Sequence, residues 1–296
     1  MSSSAAVIVS PEKISSLSDQ QSCPKVCTCL DTHVDCSHRH LQTIPVPIPT
    51  WATTLELQGN ALIAINRTVF IGLSKLNTLD ISENGIQSFS RMVFAHIPYL
   101  RTLILRKNRL SAVPIGIEFL DSLVRLDLRS NMIKKLSVID VQRLARISYV
   151  DLGRNQLTEW PNASIIDMLN CKIVKLDLSN NALTTLRTDT FSNLRSLQVL
   201  KLSRNKISRI ESGAFRGMTA LHSLNLARNR ISSIDRFSFE MLVSLENLTL
   251  SRNSVSFIED ASFWSLEKLR RLDLSGNRLK SITRGWMYGL RFLIAM

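Results

Sequence analysis

The chain has 296 residues, of which 45% are hydrophobic and 21% charged, and this composition excludes a fibrous, collagen-like or wholly disordered protein. No apolar run approaches the roughly 20 residues that a membrane-spanning helix requires. The 37 Lys and Arg outnumber the 24 Asp and Glu, and the net charge of +13 suits an acidic partner without saying which kind.

Residues 1–22 are rich in Ser and mixed in character, and we expect them to form a disordered leader. Their longest apolar run, from Ala5 to Val9, is shorter than the apolar core of about 7–15 residues in a secretion signal. We therefore expect neither a signal peptide nor a membrane anchor in the chain as given.

Four cysteines lie within residues 23–51, directly before the first repeat described below. A repeat array exposes an apolar end that needs a cap, and so short a segment has no core of its own, so we predict a cap held by disulfides. A zinc site is the alternative because His33, His38 and His40 are near, but the paired C-x₂-C spacing typical of zinc is missing. Four cysteines allow three pairings, and disulfides indicate an oxidising compartment. These cysteines are Cys23, Cys27, Cys29 and Cys36.

The template Leu-x-x-Leu-x-Leu-x-x-Asn-x-Leu, with related apolar residues at some Leu positions, recurs ten times at spacings of 23 to 26 residues. This pattern is typical of leucine-rich repeats, whose turns cover one another's apolar faces. We predict an α/β leucine-rich repeat solenoid, a right-handed horseshoe with a parallel concave sheet, over residues 52–290. Residues 291–296 are predicted to begin a truncated eleventh repeat. The asparagines are Asn60, Asn84, Asn108, Asn131, Asn155, Asn181, Asn205, Asn229, Asn253 and Asn277.

Each position of the repeat has a predicted role. Two Leu that are two residues apart, such as Leu200 and Leu202, point to one side of a short strand and fill the interior. A column of Asn side chains satisfies the backbone of the turns that follow the strands. The apolar residue five positions after each Asn, Ile282 in the tenth repeat, is predicted to face the interior as well. Phe residues ten positions after six of the Asn are predicted to form a buried aromatic spine: Phe70, Phe94, Phe191, Phe215, Phe239 and Phe263.

The outer side of each repeat is predicted to consist of turns, short strands or 3₁₀ pieces, because 24 residues leave little room for a full helix. The fifth repeat is 26 residues long and contains Trp160-Pro161, where we expect a local bulge.

The fifth cysteine, Cys171, is predicted to be a buried reduced thiol rather than a cysteine bonded to an external partner. Three N-glycosylation sequons agree with an oxidising compartment, at Asn66, Asn162 and Asn247.

The residues four positions before Asn point out of the predicted sheet, and acids dominate the first half of this column. In the fourth repeat Arg125, Asp127 and Arg129 stand side by side, with Tyr149 in the next repeat. One interpretation is mutual neutralisation of exposed charges across neighbouring strands. The other is a polar docking surface for a protein, since Tyr and Arg are enriched at interface hot spots.

A second column places Arg204, Arg228 and Arg252 immediately before three successive Asn, flanked by Lys206, Arg230 and Arg278. Such a stripe attracts a sulfated glycan or an acidic protein face, and the alternative is a merely solvated stripe. Nucleic acid is not expected as a partner, because no aromatic residues alternate with the basic ones to stack bases.

We predict no enzymatic activity, cofactor or metal site. No nucleophile elbow, phosphate-binding Gly-rich loop or His-Glu-x-x-His motif is found among the 296 residues. Only His222 of the five histidines falls on the predicted concave strands.

The order of features from residue 23 to residue 296 resembles the N-terminal part of the LRIG family (leucine-rich repeats and immunoglobulin-like domains). The features are the cysteine cap, the Pro-rich link from Ile44 to Trp51, the long fifth repeat and Gly285-Trp286 after the tenth Asn. The cap alone also resembles that of other extracellular leucine-rich repeat proteins. This resemblance implies the pairings Cys23–Cys29 and Cys27–Cys36.

The resemblance also implies a parent that is a type I plasma-membrane glycoprotein with further repeats, a C-terminal cysteine cap, immunoglobulin-like domains and a transmembrane helix. We therefore expect this chain to be a fragment, a truncated product or an incomplete gene model of a longer chain. The expected function is non-enzymatic protein recognition outside the cell or at its surface, modulating a growth-factor or bone-morphogenetic-protein receptor. An adhesion or matrix module that binds sulfated glycan is the alternative.

Overall fold

The computed structural model describes residues 22–161 and 171–296. These residues fall into two compact units, one formed by residues 22–103 and 115–122 and the other by residues 104–114 and 123–296. Both units are built from turns of a parallel-sheet solenoid, as the repeats predict.

The first unit begins with an antiparallel hairpin of β1 and β2, after which β2 pairs in parallel with β3 and β3 with β4. The hairpin carries the disulfides Cys23–Cys29 and Cys27–Cys36, and both pairings implied by the resemblance are confirmed. A 3₁₀ helix at Ile117–Phe119 belongs to this unit. Its strands are β1 Thr28–Leu30, β2 His33–Asp35, β3 Thr54–Glu56, β4 Thr78–Asp80 and β5 Thr102–Ile104. The division between the two units falls within β5.

The second unit contains a parallel sheet in the order β6, β7, β8, β10, β12, β14, β16. Two small parallel pairs, β9 with β11 and β13 with β15, lie outside this sheet, and a seven-residue helix, α1 (Val138–Leu144), begins at a capping box of Ser137 and Asp140. The sheet strands are β6 Arg125–Asp127, β7 Tyr149–Asp151, β8 Lys175–Asp177, β10 Val199–Lys201, β12 Ser223–Asn225, β14 Asn247–Thr249 and β16 Arg271–Asp273. The outer strands are β9 Thr185–Leu186, β11 Arg209–Ile210, β13 Ser233–Ile234 and β15 Phe257–Ile258.

The central Leu or Val of each parallel strand of the sheet is buried while its two neighbours lie on the other face, so three residues suffice to build one rung of the sheet. Leu200 pairs in register with Leu176 on one side and Leu224 on the other. All three side chains are fully buried. The alternation follows from the two-residue period of a strand, and it gives the sheet one apolar and one polar face.

The predicted Asn column is confirmed. The Oδ1 of Asn229 accepts the backbone N–H of Ile207 at 3.1 Å, and its Nδ2 donates to the carbonyls of Leu202 and Leu226 at 3.0 and 2.9 Å. Asn84 makes the equivalent bonds in the first unit. Its Oδ1 accepts the amide N–H of Leu62, and its Nδ2 donates to the carbonyls of Leu57 and Ile81. Each such Asn thus joins the turn that contains it to the turn before it.

The aromatic spine is also confirmed. In the second unit Phe191, Phe215, Phe239 and Phe263 stack with ring centroids 6.0 to 6.2 Å apart, and Trp286 closes the row edge-on at 5.9 Å. Phe70 and Phe94 stack at 6.5 Å in the first unit. These rings fill the interior beneath the outer turns, where their large apolar area contributes most to stability.

One interior position was predicted wrongly. Ile282 is 62% exposed, whereas the equivalent residues of the earlier repeats are buried. Among the described residues, only the turn before it packs against the turn that contains Ile282 as a complete neighbour. The bulge expected at Trp160-Pro161 stays a prediction, because residues 162–170, which continue this irregular repeat, lie outside the described residues. In the described part of the chain no helix is long and apolar enough to cross a bilayer.

Replacing Asn229 with Ala should lower the free energy of unfolding by about 2 kcal/mol, because it leaves the buried N–H of Ile207 without a partner. It also removes one of the two side-chain hydrogen bonds that the carbonyls of Leu202 and Leu226 each accept. Urea unfolding followed by circular dichroism measures this change. The control is Gln198→Ala, which removes an exposed amide and should change stability by less than about 0.5 kcal/mol. Equal losses in the two variants would contradict the role assigned to the Asn column.

Candidate functional site

The polar face of the sheet carries a row of three carboxylates in the second unit. Asp127, Asp151 and Asp177 lie on β6, β7 and β8 and are in register with one another. Asp127 and Asp177 are each only 6% exposed, and Asp151 is half-buried. We name these three residues the acid row.

Each carboxylate of the acid row has a local structural role. Asp127 accepts the backbone N–H of Arg129 at 3.0 Å, and Asp151 accepts that of Gly153 at 2.8 Å. Asp177 accepts both the N–H and the hydroxyl of Ser179, at 2.9 and 2.5 Å. An Asp that bonds to the amide two residues later stabilises a turn, so the acids hold the backbone where each strand ends. Sequence reasoning missed this role, although Asp-x-Ser at the ends of several strands was a readable signal.

Cations of the neighbouring strands partly neutralise the acid row. The Nη1 of Arg129 lies 3.8 Å from Asp151 Oδ2, and Lys201 Nζ lies 3.4 Å from Asp177 Oδ2. Gly153 leaves room for the first contact, because a Cβ at this position would lie 2.9 Å from Arg129 Nη1. These two ion pairs are the neutralisation across neighbouring strands that one interpretation of the sequence expected, although Asp177 is buried rather than exposed.

Burial raises the pKa of Asp151, and the nearby charges of Asp177 and Asp127 act in the same direction. The hydrogen bond from the Gly153 amide and the charge of Arg129 oppose this shift without cancelling it. Ionisation of Asp151 therefore lowers the free energy of unfolding.

Asp273, in the same column on β16, behaves in the opposite way. Burial acts to raise its pKa, but hydrogen bonds from the Ser275 hydroxyl and amide and from the Ser251 hydroxyl outweigh burial and leave the pKa below its usual range. The strand that pairs with β16 places Thr249 beside Asp273, not an acid. Deeper burial is the first cause of the difference, and the acids beside Asp151 add to it.

A second row on the same strands is exposed. Arg125, Tyr149 and Lys175 begin β6, β7 and β8 and are paired side by side. Arg125 and Lys175 are exposed, and Tyr149 is 44% exposed. We name this the cation–aromatic row, and together with the acid row and Arg129 it forms the sheet patch.

The structure thus separates the predicted docking residues by depth. Arg125 and Tyr149 are accessible, Arg129 is half-buried against Asp151, and Asp127 is buried beneath them. Lys175 belongs to the same surface and was missed, although it holds the same position of the repeat as Arg125 and Tyr149.

The other predicted site residues are elsewhere. Asn66 is exposed and its Oδ1 accepts the N–H of Thr68 at 3.1 Å. Asn247 begins β14 and lies on the polar face of the sheet, and Asn162 falls outside the described residues. The basic column of Arg204, Arg228 and Arg252 is exposed in the turns directly before three Asn, with φ near +57°, +57° and +55°.

Cys171 is 8% exposed, which confirms its predicted burial, and no disulfide joins it to another cysteine of the described residues. Burial raises the pKa of this thiol, and a hydrogen bond with the backbone of Ile173 only partly offsets the effect. Among residues 22–161 and 171–296 no three His, Cys, Asp or Glu side chains are grouped closely enough to hold a metal ion.

A family model described as leucine rich repeat matches residues 52–110, 98–157, 171–231 and 219–279. Mouse opticin is 34% identical over 170 residues, which are 56% of this chain and 48% of opticin. Human leucine-rich repeats and immunoglobulin-like domains protein 3 is 31% identical over 187 residues, which are 63% of this chain and 16% of that protein. The chain therefore matches less than half the length of either relative.

Solved structures agree on the fold. A chain in the octameric complex of latrophilin 3, Unc5D and the leucine-rich repeats of FLRT2 superposes with a TM-score of 0.79 at 25% identity, covering 92% of this chain and 82% of that one. A chain in the complex of TLR13 with a single-stranded RNA superposes with a TM-score of 0.77 at 26% identity, covering 82% and 35%. The repeats, the disulfide cap and these neighbours support an extracellular protein-interaction module, and proteins of this kind are typically not enzymes.

Replacing Asp151 with Asn should raise the thermal midpoint at pH 7, because the raised pKa means that ionisation of Asp151 opposes folding there. The destabilisation by Asp151 is present above its folded pKa and disappears as the pH falls below the unfolded value of about 3.9, so the difference from the parent chain should close in acid. Thermal unfolding followed between pH 7 and pH 3 measures it.

The control for this experiment is Glu267→Gln, which removes an exposed carboxylate and the same unit of charge. Its midpoint should stay close to that of the parent chain at pH 7. A midpoint for the Asp151 variant at or below that of the control would contradict the electrostatic strain at Asp151.

Proposed function

Because the chain belongs to the leucine-rich repeat family, with repeats similar to those of the LRIG proteins, we propose that it recognises a protein outside the cell and so modulates a growth-factor or bone-morphogenetic-protein receptor. The docking surface is the sheet patch. We further infer that the parent protein is a type I plasma-membrane glycoprotein, by its similarity to a protein named for immunoglobulin-like domains.

The cation–aromatic row is the observation that carries this proposal. Tyr149 stands between Arg125 and Lys175 on adjacent strands, about 5 Å from each along the sheet. Tyr and Arg supply large contact areas at a low entropic cost and dominate binding energy in many interfaces. The acid row beneath is engaged in hydrogen bonds and ion pairs, so the accessible layer is cationic and aromatic. This layer fits a partner that presents carboxylates around an apolar centre.

The sequon on β14 supports the position of the docking surface. A glycan on Asn247 would occupy the polar face about 14 Å from β8, since β10 and β12 lie between them. It would leave β6 to β8 accessible and obstruct the last strands. We propose that Asn66 and Asn247 both carry glycans, together with Asn162.

Mass spectrometry of the chain secreted from mammalian cells should find glycan on the peptides that contain Asn66, Asn162 and Asn247. The exposure of Asn66 and the half-exposure of Asn247 make both accessible to the transferase. Unmodified Asn247 in all of the secreted protein would remove this support for placing the docking surface on β6 to β8.

A glycan transplanted onto β10 should abolish receptor modulation. Val199→Asn with Lys201→Thr reproduces, two strands away, the arrangement of Asn247 and Thr249 on β14, because these positions are in register through β12. The new glycan would lie beside Lys175, with which Val199 pairs. Two responses of cultured cells to the added chain are measured: growth-factor-induced receptor phosphorylation and transcription driven by bone morphogenetic protein.

The parent chain should change one of these responses, and the transplanted variant should change neither. Lys201→Thr alone is the matched control, since it breaks the ion pair to Asp177 without adding a glycan and should keep the activity. Enzymatic removal of the glycan should restore the activity of the transplanted variant. A parent chain that changes neither response refutes the function, and a fully glycosylated variant that acts like the parent refutes the surface.

A further inference from the structure

The three arginines of the basic column share an unusual backbone conformation. Arg204, Arg228 and Arg252 have φ between +55° and +57°, in the left-handed region. Their amides bond to the next turn, from Arg204 to the carbonyl of Ala227 and from Arg228 to that of Ser251, so the three occupy the same position in consecutive turns. We name these three residues the arginine ladder.

The left-handed conformation is required by the turn and does not follow from the arginines. The residue before every one of the ten Asn has a positive φ. Gly or Asn, which tolerate this region best, occupy the position in three other turns, as Gly59, Asn180 and Gly276. Arginine has no such tolerance, so its presence three times in succession is unfavourable for the backbone.

The charges of the ladder are unfavourable for folding as well. Among the described residues no carboxylate forms an ion pair with Arg204, Arg228 or Arg252. The charges of Arg204 and then Arg252 lower the pKa of Arg228, which shows that the three guanidinium groups repel one another. The backbone cost is shared by the seven turns in which neither Gly nor Asn holds this position, so it does not single out the ladder. What distinguishes the ladder is that three exposed like charges follow one another in consecutive turns without an ion-pair partner, and such an arrangement favours a role in binding.

A second basic column runs beside the ladder. Lys206, Arg230 and Arg278 directly follow an Asn of the column, and all three are exposed. No acidic residue occupies either column between residues 204 and 278, and no aromatic residue does so. The two columns form a basic strip along the turns at the ends of β10, β12, β14 and β16.

We propose that the arginine ladder and its flanking column bind an extended sulfated glycan that runs across the turns. Turns about 4.8 Å apart present a guanidinium at each step, and a planar guanidinium donates two parallel hydrogen bonds to a sulfate oxygen pair. The disulfide cap indicates a compartment in which such glycans occur, and the strip lacks the aromatic side chains that stack bases. This site differs from the sheet patch and does not depend on it.

The test compares heparin binding of the purified chain with that of a triple variant, Arg204→Gly, Arg228→Gly and Arg252→Gly. Glycine is the residue found at this position in Gly59 and Gly276, so the variant should fold with a thermal midpoint equal to or above that of the parent. The slope of log affinity against log salt should fall by about 2 to 3, because three cations no longer displace counterions. The affinity at physiological salt should fall at least about tenfold.

The matched control removes the same charge elsewhere, with Arg195→Gln, Arg209→Gln and Arg270→Gln, three exposed arginines that do not form a column. It should retain most of the affinity. If the two triple variants bind heparin equally, net charge alone explains binding and the proposal is refuted. The double variant Arg125→Glu with Tyr149→Ala should keep the heparin affinity of the parent, which separates this site from the sheet patch.

Desulfated heparin and a single-stranded RNA of similar length test the class of ligand. Both should bind at least about tenfold more weakly than heparin at physiological salt, because the proposed contacts are to sulfate groups along a flexible chain without stacking. RNA binding equal to or tighter than heparin binding, lost in the ladder variant, would assign the strip to nucleic acid and overturn the proposal.

Discussion

A turn of this solenoid cannot satisfy its own backbone. Where each strand ends, the chain bends through a buried corner, and an Asn side chain supplies bonds that no neighbouring strand can make there. Because two of the three bonds of Asn229 go to the preceding turn, each corner must have nearly the same conformation as the last. The shape of one turn is in this way imposed on the next.

This repetition turns positions of the repeat into columns on the surface. The residue before Asn always has a left-handed backbone, and the residue four before it always ends a strand on the polar face. The side chains of a column can therefore differ from turn to turn, while their backbone conformation and spacing stay the same. The acid row uses this geometry to complete turns. The cation–aromatic row uses it to place an aromatic side chain between two cations, and the arginine ladder uses it to bring like side chains together. The two proposed binding surfaces lie in different columns, so evolution of one need not disturb the other.

The period of the sequence was enough to predict the interior. Leu, Asn and Phe recur at fixed spacing, and fixed spacing in a stacked fold means contact, as the rings from Phe191 to Phe263 illustrate. The pairing of the cysteines could be predicted only from the resemblance to known cysteine caps, because spacing alone left three possible pairings.

The surface was harder to predict, for physical reasons. The role of the acid row depends on a hydrogen bond from an amide two residues later, and this bond exists only once the turn has its bent conformation. The charge pattern of the sequence therefore predicted that Asp127 takes part in docking, although its side chain is only 6% exposed. The exposure of Ile282 depends on how many turns lie beside it, which its local sequence does not encode. The left-handed backbone of the residue before each Asn could have been predicted from the sequence. The signal was that Gly59, Asn180 and Gly276 share this position of the repeat.

The burial of Cys171 has a kinetic consequence in a protein with two disulfides. Thiol–disulfide exchange proceeds through the thiolate, and both its population and its access to another sulfur control the rate. A raised pKa reduces the first, and an exposed fraction of 8% restricts the second. The odd cysteine is thus passivated in the folded chain against scrambling the cap bridges and against linking two molecules, while the same thiol is reactive in any form that has not yet closed its turns.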